Sequence, residues 1–192
     1  MFYYESKAIK NGYNVICGLD EVGRGALSGP VVTAAVILKE KKFKHRIYDS
    51  KCLSAHQREE AFFEIVEKTS FAFGIVNETI IDAINILKAT KKAFELAVLN
   101  LKTKPDYLLI DGNIDLNLEH PLKKIIKGDT KSLSIACASI IAKVYRDRIM
   151  NIYHKIYPNY NFNKNKGYGT KEHFKYLKKF GPCPIHRKTF IE

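Results

Sequence analysis

Three short stretches place carboxylates where hydrophobic packing alone would not put them. Asp20-Glu21 follows the apolar run Val15-Ile16-Cys17-Gly18-Leu19, and Asp111 follows Tyr107-Leu108-Leu109-Ile110. Asp129 sits in Gly128-Asp129-Thr130-Lys131-Ser132, just ahead of a long helical pattern. Each has an ordinary use: a strand end meeting solvent, an Asp-Gly turn, and a helix start favoured by the dipole. Brought together they would do different work. Two ionised carboxylates roughly 4 Å apart repel by roughly 4 kcal/mol at an effective dielectric of about 20, so a cluster stays ionised only beside cations. An oxygen-only ligand set favours Mg²⁺ or Mn²⁺ over zinc. Two such ions about 4 Å apart neutralise a phosphate and activate water, which is what hydrolysis of a phosphodiester requires.

The first acidic pair lies in a segment, Gly18 to Pro30, that holds four glycines and one arginine. Ser28 stands where a G-x-G-x-x-G nucleotide fingerprint needs its last glycine, and the P-loop pattern is absent. Gly23 and Gly25, flanking Arg24, instead allow positive φ or close approach of bare main chain to a ligand. Exposed main chain of that kind can hydrogen-bond a ribose 2′-hydroxyl, the group that separates RNA from DNA.

Strands and helices must carry these groups. Val15 to Leu19, Pro30 to Leu38, Phe71 to Val76, Tyr107 to Ile110 and Leu122 to Ile126 read as strands on β-branched and aromatic content. Alternation along the first puts Asp20 on the face of Ile16 and Gly18. Ser54-x-x-Gln57 is a capping box opening a helix through Ala61, Phe62, Ile65 and Val66. Thr79-x-x-Asp82 opens another through Ile84, Leu87, Phe94 and Val98, stopped before Pro105. From Ser132 a helix carries the apolar stripe Leu133, Cys137, Ile140, Ile141 and Val144, with Ser139, Lys143 and Arg146 on a different face. Thr170 caps a last, lysine-rich helix. Strands followed by alternating helices and strands predict an α/β domain with a mixed central β-sheet flanked by α-helices.

The 192 residues suffice for one domain, 1–192, with a basic helical segment from about 170 to 192 packed on it. Thirty-two Lys and Arg against 20 Asp and Glu leave a net charge of +12, which makes an acidic polymer the first partner to consider. Lys164, Lys166, Lys171, Lys175, Lys178, Lys179, Arg187 and Lys188 crowd the last part of the chain and read as a phosphate-tracking surface. The longest apolar run, Pro30 to Leu38, is far short of the ~20 residues of a membrane span. No leader pattern precedes it, so a cytoplasmic protein is expected. Cys17, Cys52, Cys137 and Cys183 lack metal-binding spacing and read as reduced thiols. His173 and His186 read as structural or surface residues.

Taken together, the run from Gly18 to Pro30 resembles the signature of ribonuclease HII, the type 2 ribonuclease H. The resemblance continues through Asp49-Ser50-Lys51, Asp111-Gly112, Asp129 to Ser132, Ala138 to Val144, Gly167-Tyr168-Gly169-Thr170 and His186 to Phe190. These blocks span nearly the whole chain in the family's order. The resemblance implies a ribonuclease H-like fold. It implies that Asp20, Glu21, Asp111 and Asp129 are the metal-binding, catalytic acids, served by Mg²⁺ or Mn²⁺. By the same resemblance Gly23, Arg24 and Gly25 read the 2′-hydroxyl and adjacent phosphate, Tyr168 stacks on the sugar 3′ of the ribonucleotide, and Lys51 and Lys143 contact the phosphate backbone.

The implied reaction is endonucleolytic hydrolysis of RNA in RNA–DNA hybrids, including single ribonucleotides embedded in DNA, as in ribonucleotide excision repair. It leaves 3′-hydroxyl and 5′-phosphate ends and is expected of a monomer. Two readings compete with it: a non-catalytic RNA–DNA binding module, and a DNA junction nuclease of the same fold superfamily. The first has no use for all four acids, and the second none for the Gly23-Arg24-Gly25 turn. Ala26 replaces a usual proline and Cys137 a usual alanine, and neither change removes a catalytic group. The arginine of the turn also separates the chain from ribonuclease HIII.

Overall fold

β-branched and aromatic runs bounded by turn residues become five strands, β1 (Ile16–Val22), β2 (Val31–Leu38), β3 (Thr69–Val76), β4 (Tyr107–Asp111) and β5 (Leu122–Ile125). The structure, a computed structural model, describes residues 1–191, so Glu192, the end of the expected basic segment, lies outside the described residues. Sheet order is β3-β2-β1-β4-β5, with β1–β2 and β2–β3 antiparallel and β1–β4 and β4–β5 parallel. This is the mixed sheet expected from the sequence.

Helices cover both faces. On one side lie α1 (Tyr3–Lys10), α2 (Ala55–Lys68) and α5 (Leu133–Ile156). On the other lie α3 (Glu78–Ile84) and α4 (Ile86–Leu99). α6 (Phe162–Asn165), α7 (Lys171–Phe180) and α8 (Lys188–Ile191) follow α5. The Ser54–Gln57 capping box forms as predicted, each side chain bonding the other's backbone amide.

Three expectations need correction. The single helix read from Thr79 is two: Asn77 caps α3, and Asn85, held at φ 65°, ends it and caps α4. Asn85 Oδ1 accepts the Lys88 amide at 3.1 Å, which caps and so restarts the helix after the break. Next, α1 was not foreseen. It is secured by Glu5, 2% exposed, whose Oε1 accepts from Ser132 Oγ at 2.6 Å and from the Ser134 amide at 2.9 Å. Finally, α5 has no simple apolar stripe in its first half, because residues from Ser134 to Ala142 are buried all round. Its small residues let the helix settle directly on β1, where a side chain at Gly18 would place Cβ 2.2 Å from the Ser134 carbonyl carbon.

Candidate active site

Alternation decides which way the acids face. Ile16 and Leu109 pack with Ile135 on the α5 side, whereas Leu19, Leu108 and Ile110 pack with Phe94 and Ala97 of α4. Asp20 and Asp111 therefore share the α5 face, at matched carboxyl ends of the parallel pair, one step past the Leu19–Ile110 register. Ligands of open α/β sheets gather at such strand ends. Asp129 arrives separately, on the 3₁₀ turn Gly128–Thr130 that leads into α5.

The three carboxylates converge, each offering an oxygen within 4.8 Å of the others. Asp20 and Asp129 are each 6% exposed. Asp20 Oδ1 accepts the Glu21 amide at 2.7 Å, and Asp111 Oδ1 accepts the Gly128 amide at 2.6 Å. Glu21 stands beside this trio and is turned toward Arg24, with Oε1 3.2 Å from Nη1.

Ionisation is resisted at Asp20, Glu21 and Asp129. Burial, then the charges of Glu21 and Asp111, push Asp20 well above the usual carboxylate range, against hydrogen bonds from Ser139 and the Glu21 amide. Burial also raises Glu21, opposed by Arg24. Asp129 is pushed up to about 6 by burial, then by Asp111 and Asp49. Burial would lower Lys51, but Asp49, Asp20, Asp129 and Asp111 outweigh it and raise the amine, which stands at the edge of the cluster. Buried carboxylates with oxygen donors only, and repulsion that a divalent cation would relieve, fit a Mg²⁺ or Mn²⁺ site.

The glycine turn lies alongside. Gly23 takes φ 94°, and a Cβ there would sit 2.3 Å from Arg146 Nε. The turn is stitched to the C-terminal region: Ala26 bridges Tyr168, the Leu27 amide donates to the Gly167 carbonyl at 2.8 Å, and the Gly29 amide donates to the Ile185 carbonyl at 2.8 Å. Lys143 pairs with Asp147 at 2.7 Å, and its amine lies 6.0 Å from the centre of the Tyr168 ring.

One arginine, Arg187, departs from the expected basic surface, and Arg146 of α5 joins it in the interior. Arg146 and Arg187 are fully buried, and both spend their donors on carbonyls. Arg146 bonds Pro30, Ser28 and Lys166, and its guanidinium carbon lies 5.3 Å from the Tyr168 ring centre. Arg187 bonds Gly23, Arg24 and Gly29. They brace the turn from beneath and track no phosphate. Lys164, Lys171, Lys175, Lys178, Lys179 and Lys188 remain exposed. Sequence reading names Ser139 and Asp49 but gives neither a role: Ser139 bonds Ser50 Oγ at 3.0 Å, and Asp49 lies beside Asp129. His173 and His186, expected to be structural or surface residues, are buried.

A family model described as Ribonuclease HII matches residues 17–192. Ribonuclease HII of Caldanaerobacter subterraneus subsp. tengcongensis is 54% identical over 196 residues, covering 100% of this chain and 80% of that protein. Ribonuclease HII of Syntrophus aciditrophicus is 52% identical, covering 99% of this chain and 90% of its own length. The crystal structure of ribonuclease H2 from Pyrococcus horikoshii OT3 is similar at a TM-score of 0.76 and 26% identity, over 92% of this chain and 93% of that one. A match of this extent, on a fold that gathers three of the four expected acids in one cluster, leaves one assignment: the chain belongs to the ribonuclease HII family, the metal-dependent type 2 ribonucleases H.

Proposed function

We propose that this chain incises DNA on the 5′ side of an embedded ribonucleotide and cuts the RNA strand of RNA–DNA hybrids, with Asp20, Glu21, Asp111 and Asp129 holding Mg²⁺ or Mn²⁺. The convergence of Asp20, Asp111 and Asp129 beside the Gly23-Arg24-Gly25 turn carries this reading. Bound divalent cations supply activated water and neutralise the charge that develops on the phosphate and the leaving 3′-oxygen.

The rest is the work of the side chains. Arg24 reaches from Glu21 toward the phosphate next to the ribonucleotide, while the Gly23–Gly25 main chain meets the 2′-hydroxyl. The Tyr168 ring stacks on the next sugar, and a deoxyribose there permits closer contact than a ribose. Lys51 and Lys143 hold flanking phosphates, and the exposed lysines of α7 extend that track. The protein works as a single-domain monomer in the cytoplasm, and none of its described helices is long and apolar enough to cross a membrane.

The test is a duplex carrying one ribonucleotide, incubated with Mg²⁺ or Mn²⁺. A nick on the 5′ side leaving 3′-hydroxyl and 5′-phosphate ends supports the proposal. Binding without cutting, or cleavage of four-way DNA with the ribonucleotide duplex untouched, overturns it.

A further inference from the structure

Two histidines that the proposed chemistry does not use lie inside the C-terminal region, His173 fully buried and His186 3% exposed. Their Nε2 atoms are 3.0 Å apart. His173 Nδ1 lies 2.9 Å from the Tyr168 carbonyl oxygen, which also accepts the Thr170 amide at 2.8 Å. At the far end, His186 Nδ1 lies 2.9 Å from the Cys183 amide nitrogen, 3.1 Å from the Cys183 Sγ and 3.2 Å from the Cys183 carbonyl oxygen.

These partners fix the protons. A carbonyl only accepts, so His173 Nδ1 carries its hydrogen, and in the neutral ring Nε2 is bare. His186 Nε2 must then donate across the 3.0 Å gap, which leaves its Nδ1 bare to accept from the Cys183 amide. With His186 Nδ1 accepting from its nearest partner, the Cys183 amide, all four ring nitrogens are satisfied and both rings are neutral. A second proton on His173 would set two N–H groups against each other, and one on His186 would turn its Nδ1 from the Cys183 amide at 2.9 Å to the Cys183 carbonyl at 3.2 Å. The walls agree: the rings of Tyr160 and Phe162 lie 4.9 and 5.7 Å from His186, and Phe162 lies 5.5 Å from His173. Burial holds both imidazoles below their usual range.

Tyr168 is the end point of this chain. It lies outside regular structure, between Gly167 at φ 82° and the Thr170 cap of α7. Its peptide is fixed by the bridge to Ala26, by its amide's bond to the Asn165 carbonyl at 2.9 Å, and by the two donors on its own carbonyl. His173 is the one of those donors that comes from a side chain, and His186 sets its tautomer.

We propose that His173 and His186 are positioning residues, a neutral tautomer-locked pair that fixes the Tyr168 carbonyl and so aims its ring at the sugar following the ribonucleotide. The inference rests on the reading of Tyr168 as the residue that meets that sugar. It assigns to the pair a share of the preference for a ribonucleotide followed by DNA over continuous RNA–DNA hybrid.

The experiment compares kcat/KM on a single-ribonucleotide duplex with kcat/KM on a continuous hybrid. His173→Leu and His186→Leu should lower that ratio about tenfold, the scale of one lost buried hydrogen bond, with hybrid kcat within about twofold of the parent. His173→Asn, whose amide keeps a donor near the Nδ1 position, and His186→Gln, which keeps one near Nε2, should preserve the ratio within about twofold. In a Tyr168→Ala background the leucine variants should cause no further fall. An unchanged ratio in the leucine variants, with Tyr168→Ala lowering it, overturns the proposal. An unchanged ratio in Tyr168→Ala itself means instead that the reading of Tyr168 is wrong. Imidazole ¹⁵N spectra of the intact protein at neutral pH give a readout independent of variant folding. Neutral His173 protonated on Nδ1 and neutral His186 protonated on Nε2 are expected. A cationic ring or the opposite tautomers would overturn the pair.

Discussion

Asp111 Oδ1 accepts the Gly128 amide at 2.6 Å and so ties the end of β4 to the turn that carries Asp129. Glycine suits this position, since a Cβ would lie 2.7 Å from Ile135 Cδ1, the far end of a movable side chain, and 3.3 Å from that same oxygen. The same carboxylate thus serves both the architecture and the acidic cluster.

Asp111→Asn separates these two uses. The amide oxygen can still accept from Gly128, so the fold should survive, while the lost charge should lower kcat by about 10³-fold or more, the scale of a removed transition-state electrostatic interaction. Asp20→Asn should behave likewise. Circular dichroism together with steady-state rates checks both, and retained turnover would refute the assignment.

Asp129 should make the metal-free protein sensitive to pH in a defined direction. Its carboxyl is raised from the ordinary 3.8 to about 6, so the folded state binds the proton more tightly than the unfolded one. The cost of ionising it is absent below pH ~4 and grows as pH rises through 6, reaching at most about 3 kcal/mol. In EDTA, Asp129→Asn should therefore raise Tm at pH 7 by several degrees and leave it nearly unchanged at pH 4. Mg²⁺ should shrink the difference.

His186 should act with the opposite sign over the same interval. It is held at about 4 by burial and then by His173, below the ordinary 6.5, so the unfolded state binds its proton first. The neutral pair contributes fully above pH ~6.5 and is lost as pH falls through 4, by up to about 3 kcal/mol. Thermal melts of His186→Gln should show a shallower acid loss than the parent. A parallel acid limb in both proteins would contradict the buried neutral state.

Arg24→Ala should act on substrate more than on fold, because the arginine itself is exposed and its one visible side-chain partner is Glu21. Affinity for the ribonucleotide duplex should fall about tenfold, and the slope of log K against log salt should lessen by about 1 as one phosphate contact disappears. An unchanged salt slope would remove Arg24 from the backbone contacts.

Gly18→Ala tests the seat of α5. The added Cβ meets backbone, 2.2 Å from the Ser134 carbonyl carbon and 2.4 Å from the Ile135 nitrogen, so neither neighbour can rotate aside. A loss of about 3 kcal/mol or more in denaturant melts is expected, as for overpacking in a rigid core.

Asp20 and Asp111 stand out in sequence because each ends an apolar run, whereas Asp129, after Lys127-Gly128, does not, and the family resemblance is what joins the acids into one set. The alternation that put Asp20 with Ile16 and Gly18 holds in the structure. The supports were not legible, and the reason is physical. Arg187 bonds carbonyls 158 to 164 positions away, and main-chain oxygens leave no mark on residue type. A guanidinium in a lysine-rich stretch therefore reads as surface. Glu5 escaped notice in the same way, since its partners lie 127 and 129 positions along the chain. The break between α3 and α4 turned on Asn85, whose left-handed φ is a local signal overshadowed by the apolar periodicity on either side.

The most direct test of a shared cation pocket is titration of Mn²⁺ into the metal-free protein, followed by the paramagnetic signal of free Mn²⁺. Saturable binding in the parent, abolished or weakened at least about tenfold in both Asp20→Asn and Asp111→Asn, is the predicted result. Equal Mn²⁺ binding in the parent and both variants would contradict it.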